Sequence, residues 1–155
     1  MKLRSIFKAL LGAAALSLLV TGAAQAADQG TAAEAEAMAK KAVVYLKANG
    51  QEKAAEEFTN GKTFKDRDLY VSYLDLSGKV LAHGSNPKLV GKDLSGLKDP
   101  DGKLMVQMFT ELAKTKGKGW TDSYKFRNPA TEKIAEKTMY VERVGEAYIG
   151  VGIYK

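Results

Sequence analysis

A chain of 155 residues without a cysteine excludes disulfide staples, thiolate metal sites, CxxCH haem attachment and cysteine nucleophiles, so its packed core must suffice. The formal charge of +6 rests on 24 basic and 18 acidic residues, but Lys2, Arg4 and Lys8 fall in a leader, and without those three the balance is 21 against 18, or +3. Lysine and glutamate alternate through the remainder, which argues against the concentrated basic surface that a nucleic-acid partner requires.

The leader is read from those basic residues, the apolar run from Ala9 to Val20 and the small residues ending Ala24-Gln25-Ala26. This pattern predicts a secretory signal peptide over residues 1–26, cleaved after Ala26. The apolar run is shorter than the ~20 residues that span a hydrocarbon core, so export to the periplasm is expected rather than anchoring. Residues 27–155 have the size of one domain, and a single domain is predicted there.

Thr31 with Glu34 forms a capping box, and Met38, Ala42, Tyr45 and Leu46 recur at helical spacing, which predicts a helix over residues 31–49 that Asn49-Gly50 ends. Its alanine-rich stripe suits close packing on a sheet or a homodimer contact. A shorter helix over residues 51–59 follows, with Ala54, Ala55 and Phe58 inward. Leu69 to Asp75 and Val80 to His83 read as a hairpin, with Asp75 accepting turn amides and Gly78 free to take positive φ. The aperiodic connection from Gly84 to Leu97 is long enough to be a pocket wall. A helix over residues 103–115 is expected to present Leu104, Met108 and Leu112 to the core, with Met105 and Phe109 beside them. Strands follow over residues 120–126, 135–144 and 147–154, the last two joined by Gly145-Glu146. The sum is an α+β fold with an antiparallel sheet, helices 31–49 and 51–59 on one face, and the loop with helix 103–115 on the other.

Several segments together carry a resemblance: YVSYLDLSGKVLAH from Tyr70, NPKLVGKDL from Asn86, LKDPDGK from Leu97, GKGW from Gly117, Tyr124-Lys125-Phe126 before Asn128-Pro129, Lys137-Thr138-Met139-Tyr140-Val141 and the final GVGIYK. In this order and spacing, covering residues 38–155, they resemble the single Cache type-2 domain. The resemblance implies a PAS-like fold with a long amino-terminal helix on about five antiparallel strands. It also implies an extracytoplasmic sensor of small carboxylates and related metabolites, here free-standing and secreted, without catalytic machinery or cofactor. The family pattern Tyr-x-Trp-Pro-Asn-Pro reads Tyr124-Lys125-Phe126-Arg127-Asn128-Pro129 here, so an indole donor is lost and a cation is gained at the rim. One extra residue among Thr121, Asp122 and Ser123 predicts a bulge that reverses the facing of Trp120 relative to Tyr124.

A small carboxylate needs a cation or several oriented donors away from water. His83, ending its strand at the mouth of the long loop, is the first candidate donor; its alternative is a loop cap bonded to backbone. A single histidine makes a multi-histidine metal centre impossible, and no metal site is expected. By resemblance, Lys137 and Tyr140 would supply a cation and a hydroxyl. Three residues apart on a regular strand they face opposite ways, so both reach one pocket only if Lys137 sits at the strand entrance or beside a bulge, and Tyr140 is preferred. Tyr124, Phe126, Trp120 and Tyr73, with Tyr70, are expected as aromatic walls, core packing being the alternative for each.

With the resemblance, these residues predict a non-enzymatic sensor module for a small carboxylate or amino-acid-like metabolite, acting in signal transduction or chemotaxis. Its partner would be a membrane sensor or receptor, with a homodimer through helix 31–49 as another route for the signal. The competing readings are a periplasmic hydrolase or lyase using His83 with Asp75 or Asp93, and a structural envelope protein. No nucleophile motif surrounds Ser72, Ser77, Ser85, Ser95 or Ser123 to favour the enzyme.

Overall fold

The computed structural model describes residues 28–155; the predicted signal peptide and its cleavage after Ala26 lie outside them. The amino-terminal helix α1 spans Ala32–Asn49, and both halves of its capping box form: the Thr31 side chain accepts from the Glu34 amide, and the Glu34 carboxylate accepts from the Thr31 amide at 2.8 Å. Gly50, at φ 82°, ends α1 and begins α2 (Gln51–Asn60), a backbone conformation that glycine adopts without a Cβ penalty. Ahead of α1, the buried Asp68 accepts the Gly30 amide at 2.6 Å and the Arg67 guanidinium donates to the Gln29 carbonyl at 2.9 Å, fixing the entry to the helix against the sheet.

The strands are β1 (Lys65–Asp66), β2 (Leu69–Asp75), β3 (Val80–His83), β4 (Lys118–Trp120), β5 (Tyr124–Arg127), β6 (Ile134–Val144) and β7 (Ala147–Tyr154), all antiparallel. They occupy five positions across the sheet. β1 and β3 share the outer edge of β2, β7 and β6 follow, and β4 and β5 share the outer edge of β6. The seven segments therefore differ from the expected five strands only because each edge is split. The β2–β3 turn is held as expected, with Asp75 accepting from the Ser77 and Lys79 amides at 2.9 and 3.1 Å and Gly78 at φ 100°.

Both faces of the sheet are buried, which divides the core into two layers. Against α1 and α2 lie Val71 and Tyr73 of β2, Ala82 of β3, Tyr140 of β6, and Ile149 and Val151 of β7, with Trp120 packed beside them. Aromatic edges lock this layer: the rings of Phe58 and Phe64 meet at 4.9 Å and 89°, and Tyr45 meets Phe64 at 5.3 Å. The opposite layer holds Leu74, Val80, Tyr124, Met139, Val141 and Tyr148 under the third helix, α3 (Met105–Thr115).

Helix α3 departs from expectation by a rotation of about one residue. Met105, Val106, Phe109, Thr110 and Ala113 are buried, whereas Leu104 is the cap and Met108 and Leu112 are half-buried. Both stripes are apolar, so the sequence did not distinguish them; the sheet selects the one whose aromatic, Phe109, stacks on Tyr124 at 4.9 Å. The bulge expected between Trp120 and Tyr124 is present. Trp120 pairs with Tyr140 and Tyr124 with Lys137, so four steps along β4–β5 answer three along β6, and the two aromatics face opposite layers.

Candidate functional site

The α3 layer is not packed solid. Between the sheet, α3 and the connection after β3 lies a cavity of about 430 Å³ of space not filled by atoms, solvent at its open mouth included. Its apolar end is formed by Leu74, Val80, Leu94, Met105, Phe109 and Met139, and its polar end by Tyr70, Ser72, His83, Tyr124 and Lys137. Alternation explains the selection: Tyr70, Ser72 and Leu74 share one face of β2, and Lys137 and Met139 share the same face of β6. A register shift between β2 and β3 lets Val80 and His83, three residues apart, both face inward.

Lys137 is the central group. It is 1% exposed, and its Nζ donates to Tyr70 Oη at 2.7 Å and Tyr154 Oη at 3.2 Å. The ammonium also lies 4.2 Å from the Tyr70 ring centroid and 4.5 Å from that of Tyr154. No carboxylate among the described residues forms an ion pair with it. Glycines make room for it: a Cβ at Gly152 would sit 2.1 Å from Lys137 Cε, and one at Gly150 would sit 2.3 Å from Met139 Sδ. The GVG of β7 thus leaves one sheet face bare so that two long side chains of β6 can cross it.

Hydrogen bonding directs the remaining donors. The Tyr154 hydroxyl donates to the Arg127 carbonyl at 2.7 Å, so toward Lys137 its oxygen is the acceptor. Tyr70 Oη accepts from Lys137 and keeps its own proton for the 3.4 Å contact with Tyr154 Oη or for a guest. Burial opposes ionisation of the Tyr70 phenol, but the adjacent Lys137 charge and hydrogen bond outweigh it and bring the group below its ordinary value. Tyr154 is driven the other way, mainly by burial and then by Tyr70.

His83 is 5% exposed, and its Nδ1 accepts from the Asn86 amide at 3.1 Å, with Ser85 Oγ at 3.4 Å. The neutral ring therefore carries its proton on Nε2. Burial, then the nearby Lys137 charge, lowers its pKa to about 3, so it is a neutral donor rather than a second cation. Tyr124 is buried, and burial raises its pKa well above the ordinary value, leaving a protonated hydroxyl at the cavity wall.

The structure brings together four of the sequence-predicted site residues, His83, Lys137, Tyr124 and Phe126. It separates Tyr140, Trp120 and Tyr73, which stand on the α1 face; Tyr140 packs on Trp120 at 5.7 Å and donates to Glu142 at 3.3 Å. Lys137 and Tyr140 face opposite ways, as their spacing on a regular β6 predicts, and the cavity lies on the Lys137 face rather than on that of the preferred Tyr140. Tyr154 and Ser72 were missed as site residues, and Tyr70, expected only as a wall, bonds the cation. The signal for Tyr154 was the GVG preceding it, which marks the face on which it stands. Neither acid of the alternative enzyme reading reaches the histidine: Asp75 is bonded to Ser77 and Lys79, and Asp93 to the Ser95 amide at 2.8 Å.

The fold thus places a buried cation, without an ion-pair partner among the described residues, in a cavity beneath a loop. The sequence profile of the family described as Single Cache domain 2 matches residues 14–155, and the chain belongs to that family. The match begins inside the stretch read as a leader. A methyl-accepting chemotaxis protein of Pseudomonas putida, McpP, is 33% identical over 91 residues, which are 57% of this chain and 16% of that receptor, so the relative is far longer than the matched part. Among solved structures, a Cache chemosensory domain described for carboxylic acid recognition aligns at TM-score 0.67 and 27% identity, over 79% of this chain and 91% of that one. A methyl-accepting chemotaxis protein of Vibrio parahaemolyticus shares the fold at TM-score 0.67 and 22% identity, covering 79% and 86%. The chain is thus a Cache sensor domain related to the periplasmic domains of chemotaxis receptors. Among the described residues, no helix is long and apolar enough to cross a membrane.

Proposed function

We propose that this protein is a non-enzymatic, periplasmic binding module that holds a small monocarboxylate against Lys137 and acts in signal transduction or chemotaxis through a membrane receptor. The observation that carries this reading is the buried Lys137 ammonium, bonded to tyrosine hydroxyls and without an ion-pair carboxylate among the described residues. An ion that has lost its hydration without gaining a counterion is costly, and a bound carboxylate offsets that cost. Tyr70, His83 Nε2 and Tyr124 add neutral donors at the same end of the cavity.

The rest of the lining narrows the class. Among the described residues, no aspartate or glutamate lines the cavity to receive the ammonium of an amino acid, and Lys137 is the one cationic side chain in its lining, so a second carboxylate would be stranded. The amino-acid-like ligand expected from the sequence is therefore less favoured than an acid with a short apolar tail toward Leu94, Met105 and Phe109. Kinship with a Cache chemosensory domain described for carboxylic acid recognition supports the same class, and kinship with the chemotaxis protein McpP supports a role in chemotaxis. Transmission would run through a receptor or through a homodimer along α1, whose outward face exposes Val44.

A thermal-shift screen of monocarboxylates, dicarboxylates and amino acids tests the reading. A ligand at about 100 times its Kd should stabilise the fold by about 2.7 kcal/mol. Stabilisation by monocarboxylates alone is expected; stabilisation only by amino acids, or by none of these at millimolar concentration, would overturn it.

A further inference from the structure

We infer that ligands enter between the Ser85–Leu89 segment and the Phe126–Glu132 turn, and that Arg127 is the cation that captures the incoming carboxylate there. This rests on the carboxylate reading above, to which it adds a route and a specificity-determining residue.

An outer depression contains Ser85, Arg127, Pro129 and Glu132 in its wall and shares two residues, Leu89 and Phe126, with the inner cavity. Both shared side chains are apolar and half-buried, so two side chains separate solvent from the interior. Directly behind them is the polar end of the site: Lys137 Nζ lies 5.5 Å from the Phe126 ring centroid, and His83 is bonded to Asn86 of the same rim.

Backbone hydrogen bonds close the other sides. The Gly91 amide donates to the Val80 carbonyl at 2.8 Å, Val80 to Lys92 at 2.9 Å and Leu94 to Gly78 at 3.0 Å, which stitches the later part of the connection onto β3 and its turn. The Asp99 carboxylate accepts from the Lys125 amide at 3.0 Å and fixes the next part to β5. Between Ser85 and Leu89, by contrast, the backbone bonds are local, from Leu89 to Asn86 at 3.1 Å, and none joins this segment to the Phe126–Glu132 turn. Opening there requires only side-chain rotation.

Arg127 is suited to the rim. Its side chain is 63% exposed, and its one carboxylate partner, Glu132 at 3.5 Å, is 78% exposed, a pair that solvent screens and an incoming anion can replace. Its backbone is nevertheless tied to the site, because its carbonyl accepts the Tyr154 hydroxyl. A fixed cation at a narrow mouth raises the local concentration of anions and accelerates their entry more than it alters their final affinity.

Because the chain has no cysteine, Ser72→Cys places a unique thiol in the cavity. Its labelling is measured with two thiosulfonates of similar size, anionic 2-sulfonatoethyl and neutral 2-hydroxyethyl methanethiosulfonate. The expected result is faster labelling by the anion, a preference reduced roughly threefold or more by Arg127→Gln and by added salt. Leu89→Trp should slow both reagents, whereas Leu97→Trp, on the cavity but away from the depression, should not. The inference is overturned if Leu97→Trp is the blocking change, if Arg127→Gln leaves the anion preference intact, or if labelling occurs only at the rate of global unfolding. Titration of the unmodified protein with propionate is read separately: absence of binding would count against the carboxylate reading, while the labelling still decides the entrance.

Discussion

Lys137 Nζ and Tyr70 Oη lie 2.7 Å apart inside the domain, a buried cation bonded to a phenol where an acid would ordinarily neutralise it. In the proposed site this arrangement costs stability. Replacing the ammonium with an isosteric apolar chain, Lys137→Met, should leave the apo protein as stable or more stable by on the order of 1 kcal/mol, while removing any stabilisation by carboxylates. Chemical denaturation with and without propionate checks both halves.

Gly152 provides the space in which that lysine lies. Gly152→Ala puts a methyl group 2.1 Å from Lys137 Cε, and either the strand or the lysine must move. The expected outcome is a loss of about 1–3 kcal/mol of stability and a carboxylate affinity weakened by roughly tenfold or more. Gly96→Ala, where a Cβ meets nothing within 4 Å, is the control and should stay within about 0.5 kcal/mol of wild type.

Alternation along β6 yields a paired prediction. Tyr140→Phe, on the α1 face, should leave carboxylate binding unchanged, whereas Tyr70→Phe removes a bond to Lys137 and should weaken it by about 1–2 kcal/mol. Calorimetric titration of both variants with one monocarboxylate distinguishes the faces.

The lone histidine links stability to pH. Burial lowers its folded-state pKa from 6.5 to about 3, so the folded protein keeps the ring neutral while the unfolded chain protonates it. The stabilising contribution is present above pH 6.5 and is lost as the pH falls from there toward 3, by up to about 1.4 kcal/mol per unit. Between pH 6.5 and about 5.5 this slope belongs mainly to His83, because the chain has no other histidine and carboxylates titrate lower. His83→Gln should flatten urea-unfolding stability across that interval.

Local signals in the sequence were direct. Thr31 with Glu34, Gly50 between two helices, Asp75 with Gly78, and the extra residue before Tyr124 each specify a hydrogen bond or a backbone angle, and each appears where expected. Facing was harder to read, because both sides of this sheet are buried and apolar residues stand on both, so alternation around Tyr70 or Tyr140 does not say which side holds the cavity. The same ambiguity hid the orientation of α3. The informative signal was a contrast in size: Gly150 and Gly152 are small where β7 is otherwise bulky, and that bare face shows which side a long side chain crosses.

Lys137 is the proposed anion site. Isothermal titration of the wild type and Lys137→Met with acetate, propionate and butyrate tests it most directly. Saturable binding to the wild type that is lost in Lys137→Met is the predicted result; equal affinity in both proteins, or no binding of any of the three to the folded wild type at millimolar concentration, would contradict it.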